Sequence, residues 1–146
     1  MRLSLSALLA GALAVPAAAG TADVAVSASF VPPAKGKEGA IRVSLQPQDP
    51  EVHVNELPAP RLKLDPAQKL LLDKQPPPPS HAVIADPADA KYLDPLLPVS
   101  FAVAWAGAPP AAPQTVSGSV VYYYCSKREG WCRRGTAQVE IEVRAK

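Results

Sequence analysis

Two residues in this chain have side chains suited to redox chemistry, Cys125 and Cys132, and they are its only cysteines. They stand in the run Tyr-Tyr-Tyr-Cys-Ser-Lys-Arg-Glu-Gly-Trp-Cys-Arg-Arg, with six residues between them. Both flanks read as β-strand, so the pair is expected at the two ends of a hairpin loop. Opposed hairpin positions can reach the Cα separation that a disulfide needs. In an oxidising compartment the resting state is expected to be the disulfide. Such a bond can be a structural staple. Closing so short a loop stabilises a fold by roughly 2.5 kcal/mol in the chain-entropy description. It can also be an exchanging pair. Lys127, Arg128, Arg133 and Arg134 crowd the cysteines, and Glu129 is the one nearby acid. Cations stabilise a thiolate and so favour thiol–disulfide exchange. Ser126 to Gly130 is polar, which places the pair near the surface. Tyr122, Tyr123, Tyr124 and Trp131 surround it. Strand neighbours alternate faces, so some of these rings must point outward, as a docking surface would need.

The remaining candidates are sparse. His53 and His81 are the only histidines, and the one methionine is Met1. Two histidines on separate loops read as polar surface residues, not as a metal site. The sequence contains no nucleophile–histidine–acid pattern, no phosphate-cradling glycine loop and no zinc spacing.

The elements that must position the cysteines are short strands. Val24 to Phe30 alternates weakly. Ile41, Val43 and Leu45 alternate with Arg42 and Ser44, a period of two that marks a strand with one buried face. Val52-His53-Val54 leans to β structure, and Leu62 and Leu64 alternate with Arg61 and Lys63. Ala67 to Asp73 suits either a helical turn or a strand. Val99, Phe101, Val103 and Trp105 form a clear strand, and Val116 to Cys125 is β-branched and aromatic. Gln138 to Arg144 puts Val139, Ile141 and Val143 inward and Glu140, Glu142 and Arg144 toward water. The last two strands flank Ser126 to Trp131 and should pair as a hairpin. Eighteen prolines rule out long helices. Pro76 to Pro79 favours a stiff polyproline spacer. Short strands separated by turn signals predict one all-β sandwich.

The start of the chain reads as a cleavable export signal. Arg2 is the positive end, Leu3 to Val15 is mostly apolar, and Pro16 precedes Ala17-Ala18-Ala19. The run is too short for a membrane span, which takes about 20 residues. Cleavage is expected after Ala19, with Ala22 as the alternative. This gives a signal over residues 1–19 and one domain over 20–146. No later segment could span a membrane. Removing the signal leaves fourteen bases and thirteen acids. That balance argues for neither nucleic acid nor a membrane surface as a partner.

The cysteine end resembles the N-terminal periplasmic domain of DsbD, the bacterial thiol:disulfide interchange reductase. The likeness rests on Tyr122-x-x-Cys125, a short loop, the second cysteine Cys132 and a terminal β-strand. Upstream, Val52-His53-Val54-Asn55 occupies the place of the family's His-Ile/Val pair. Leu97 to Trp105, followed by a loop and Val116 to Cys125, is similar to its closing strands. The resemblance implies an immunoglobulin-like antiparallel β-sandwich in the periplasm. Cys125 and Cys132 would be its redox pair, with no bound cofactor. Electrons would arrive from a membrane-embedded donor and leave to thioredoxin-like periplasmic proteins. Cys132 would form the mixed disulfide downstream and Cys125 would resolve it. Lys127, Arg128, Trp131, Arg133, Arg134 and Tyr124 would be electrostatic or docking neighbours. The chain departs from the family in having six residues between the cysteines instead of five, and Arg133-Arg134 where a proline is common. The family's aromatic cap loop is not identifiable in the sequence. The reductase continues into a multi-helix membrane domain and a thioredoxin-like domain. This chain ends at Lys146, so a free-standing version with a separate electron donor is expected. The other reading is a non-catalytic protein-binding sandwich whose disulfide is a staple.

Overall fold

A computed structural model describes residues 19–35, 38–73, 83–85 and 91–145. Among these, all regular structure is antiparallel β, as the period-two pattern requires. The strands are β1 (Ala19–Gly20), β2 (Val24–Val31), β3 (Glu38–Pro47), β4 (Val52–Val54), β5 (Arg61–Leu64), β6 (Leu71–Asp73), β7 (Val83–Ala85), β8 (Lys91–Leu93), β9 (Val99–Trp105), β10 (Gln114–Ser126) and β11 (Trp131–Val143). No helix among the described residues is long and apolar enough to cross a membrane.

One sheet has the order β1-β2-β3-β9-β6. The other runs β11-β10-β4, with β5 also paired to β10. Thus β4 and β5 share one side of β10. β4 lies beside Tyr124–Ser126, and β5 lies beside Gly118–Val121. The two sheets contribute to one hydrophobic core. Val24, Val26, Ile41, Val43, Phe101 and Val103 come from the first, and Leu62, Val120, Tyr122, Val139, Ile141 and Val143 from the second. A separate β7–β8 ladder joins β4 through a bridge between Asn55 and Tyr92.

The expected hairpin is the longest element. β10 and β11 pair through thirteen residues each, from Gln114↔Val143 to Ser126↔Trp131. β11 therefore begins seven residues before the alternation at Gln138 would place it. The Ala67–Asp73 ambiguity resolves into a turn followed by β6. In that turn the Asp65 carboxylate accepts from Ala67 N–H, and the Gln68 amide oxygen accepts from Leu70 and Leu71 N–H. The expected signal up to Ala18, the four prolines Pro76–Pro79 and His81 lie outside the described residues.

A candidate redox-active disulfide

Cys125 and Cys132 are directly opposed in the β10–β11 ladder and joined by a disulfide, with Cα atoms 4.0 Å apart. So close an approach fits the narrow, non-hydrogen-bonded kind of antiparallel pair. The loop between them is closed by its own backbone. Gly130 N–H donates to Ser126 C=O at 2.9 Å, and Glu129 N–H donates to Ser126 Oγ at 3.2 Å. Gly130 has φ near +69°, a left-handed conformation that glycine adopts without a Cβ penalty.

Alternation decides which face each residue serves. On β10, Val116, Val120, Tyr122, Tyr124 and Ser126 are buried between the sheets. Cys125, Tyr123 and Val121 occupy the outer face, half-buried. Opposite them on β11, Cys132, Arg134 and Thr136 are exposed on that same face. The disulfide is thus outside the core, with Cys132 open to solvent and Cys125 partly covered.

The covering group on β4 is His53, whose position is paired with Cys125. His53, Cys125 and Cys132 form one row across three strands. The His53 ring stacks on Tyr92 of β8, with centroids 4.8 Å apart and planes inclined by 26°. Lys127 Nζ lies 5.4 Å from the centroid of Tyr92. His53, read from sequence as a loop residue, is therefore part of the disulfide's strand environment. Its signal was the β-leaning Val52-His53-Val54 triplet. The contact with Tyr92, 39 residues further on, had no local signature.

The sequence-identified neighbours divide between the two faces. Arg134 shares the outer face with Cys132, two residues along the strand. Arg133 points to the opposite face, where its guanidinium lies 4.1 Å from the centroid of Trp131. That stack caps an aromatic series. Trp131 meets Tyr124 edge-on at 5.6 Å, and Tyr124 meets Tyr122 at 5.7 Å. Trp131 Nε1–H also donates to the Glu129 carboxylate. Inside, Tyr124 O–H donates to Asp23 at 3.2 Å, and Tyr122 Oη accepts from Thr21 N–H at 3.4 Å. Arg128 pairs with Asp49 at 3.4 Å, an exposed ion pair worth about 0–1 kcal/mol. Of the four cations, Arg134 is the one placed beside Cys132 on its own face. No group of three metal-ligating side chains occurs among the described residues.

Comparison with known proteins finds no family, curated relative or solved structure that matches this chain. Its chemistry is read from the geometry of the cysteine pair.

That geometry separates the two arginines in an experiment. Residues two apart on a strand lie about 7 Å apart, where a cation stabilises a thiolate by roughly 0.6 kcal/mol in water. In the reduced protein, Arg134→Ser is expected to slow iodoacetamide alkylation of Cys132 about threefold near neutral pH. Arg133→Ser should leave it unchanged, and 1 M salt should erase the difference. Equal alkylation profiles for the two variants would remove Arg134 from the chemistry.

Proposed function

We propose that the chain is an exported, periplasmic thiol–disulfide exchange domain working through Cys125 and Cys132. The observation that carries this reading is the position of the disulfide. It lies on the outer face of a sheet, with Cys132 exposed, instead of bridging the sheets through the core. A sulfur must be reached in line by an attacking thiolate, and Cys132 offers that access.

The exchange is balanced in two steps. A donor thiolate attacks Cys132 Sγ. The donor–Cys132 bond forms, the Cys125–Cys132 bond breaks, and Cys125 leaves as a thiolate. The donor's second thiolate then attacks its own sulfur in the mixed disulfide and releases Cys132 as a thiolate. Both cysteines take up the protons the donor has given up. Two electrons and two protons have moved into the domain, and the donor is a disulfide. Delivery to an acceptor runs in reverse order of roles. The Cys132 thiolate attacks the acceptor disulfide and displaces one thiolate. Cys125 then attacks Cys132 Sγ and releases the other. No cofactor is needed.

Two antiparallel sheets around one core support an immunoglobulin-like sandwich. Tyr92, stacked on the His53 ring whose strand position is paired with Cys125, is an aromatic neighbour of the kind that the resemblance to the DsbD N-terminal domain leads one to seek. On this reading the donor is membrane-embedded and the acceptors are periplasmic thioredoxin-like proteins. The deciding measurement is the reduction potential by equilibration with glutathione buffers. An exchanging pair should titrate above about −300 mV, and a structural staple below it.

Export implies a processed start. Cleavage after Ala19 would keep Thr21, whose hydroxyl accepts from Val24 N–H and whose N–H reaches Tyr122. N-terminal sequencing of periplasmic protein is expected to begin at Gly20. A start at Asp23 would match the alternative site, and an intact Met1 would contradict export.

A further inference from the structure

The outer face that carries the disulfide continues into a groove. Arg61 and Lys63 of β5 project from one side, and Arg134 of β11 from the other. Tyr123 and Val121 of β10 lie between them, with Pro58 among the walls. The groove has a volume of about 460 Å³ and is lined by three cations and no carboxylate. Arg61, Lys63 and Arg134 are exposed, and none pairs with an acid among the described residues. Further along β11 the same face turns acidic, with Glu140 and Glu142. The positive charge is therefore concentrated at the disulfide end of the sheet, not spread over a surface that is nearly neutral overall.

Like charges gathered without counter-charges repel one another and raise the local positive potential. This arrangement favours an anionic occupant and speeds its approach. Tyr123 and Val121 add an apolar floor, which suits a peptide better than a bare ion. Arg134 is two residues from Cys132, so a chain lying in the groove leads directly to the exposed sulfur. We infer that this groove docks an extended acidic segment of a protein partner, adjacent to the cysteine that the partner presents to Cys132. The inference rests on the exchange reading and specifies its partner class by charge.

The test uses two fluorescein-labelled octapeptides without cysteine. One has alternating Glu and Asp around a central Ser-Ala, and the other has Gln and Asn at those positions. Fluorescence anisotropy with the oxidised protein at low salt is expected to show the acidic peptide binding at least about tenfold more tightly. Arg61→Glu/Lys63→Glu should abolish that preference, and Arg61→Gln/Lys63→Gln should reduce it. The charge-matched control Arg42→Glu/Lys69→Glu, away from the groove, should change it by less than about twofold. Preserved pairing of Cys125 with Cys132 in each variant, read by mass, reports that the fold is intact. Equal binding of the two peptides, or equal loss in the control, overturns the proposal. So does tighter binding of a thymidylate dodecamer than of the acidic peptide. Because the peptides lack thiols, their binding is independent of exchange. A groove that binds them in a protein with a staple-like potential leaves the docking site standing and removes the exchange function. Normal exchange without peptide preference does the opposite.

Discussion

On the exchange reading, Cys125→Ala expressed in a bacterial periplasm is expected to accumulate mixed disulfides through Cys132, and Cys132→Ala to accumulate far fewer. The asymmetry follows from exposure. Cys132 stands open on the outer face, whereas Cys125 is half-covered and opposed by His53. Without Cys125, the bond between Cys132 and a partner has no internal thiolate to resolve it. Without Cys132, the remaining sulfur is less accessible to a partner. Alkylation-quenched extracts on non-reducing gels, followed by mass spectrometry of the adducts, give the readout. Capture should differ several-fold, because neither variant keeps an internal thiolate to resolve its adduct and the greater exposure of Cys132 alone sets the difference. Equal capture by the two variants would reject the assignment of Cys132 as the attacking sulfur. Absence of adducts from both would favour the staple.

The largest expected effect on stability lies at Gly135. A Cβ there would sit 2.3 Å from Tyr122 Cζ, 2.5 Å from Cε2 and 2.7 Å from the hydroxyl oxygen. The ring crosses the β11 backbone at this point, and Tyr122 is fully buried, so it cannot swing away. Gly135→Ala is expected to destabilise the fold by about 2–3 kcal/mol through overpacking, lowering the melting temperature by roughly 10 °C. In a Tyr122→Leu background the same substitution should cost much less, because the obstructing ring is gone. Urea denaturation of the four proteins in this cycle measures the coupling. A cost that is the same in both backgrounds would place the origin of the effect elsewhere.

These two positions also explain what could be read from sequence. The strands around Ile41, Val43 and Leu45, around Val99 to Trp105 and around Val139 to Val143 carry clean alternation, because each buries chiefly one face, with Ala104 at the end of β9 buried on the other. The first half of β11 does not. Its inward positions are Arg133 and Gly135, where an apolar residue would be expected. Gly135 is inward because Tyr122 fills its space, and Arg133 because the sheet ends there and the side chain can lie over Trp131. Counting back in twos from Val139 does reach Gly135, Arg133 and Trp131. The face assignment was thus available once β11 was known to extend that far. The hairpin disulfide was legible because sequence-local strands and a short loop bring its ends together. The stacking of Tyr92 on His53 was not legible, because it is set by how β8 folds back onto β4. The cationic groove was equally hidden. Arg61 and Lys63 are far from Arg134 in sequence, and only the pairing of β5 with β10 places them on one face.

The thirteen-residue ladder between β10 and β11 has a kinetic consequence. Backbone pairing on both sides of the cysteines holds their positions opposite each other, so the two sulfurs are expected to remain neighbours when the bond is opened. Attack of one on the other is then intramolecular, with a high effective molarity. A one-armed adduct with a partner should therefore be short-lived, since ring closure outpaces any free thiol competing in solution. On the exchange reading, the domain would deliver its electrons as a pair and let go of the partner quickly. Its turnover would then be governed by how often partners arrive, not by how long they stay.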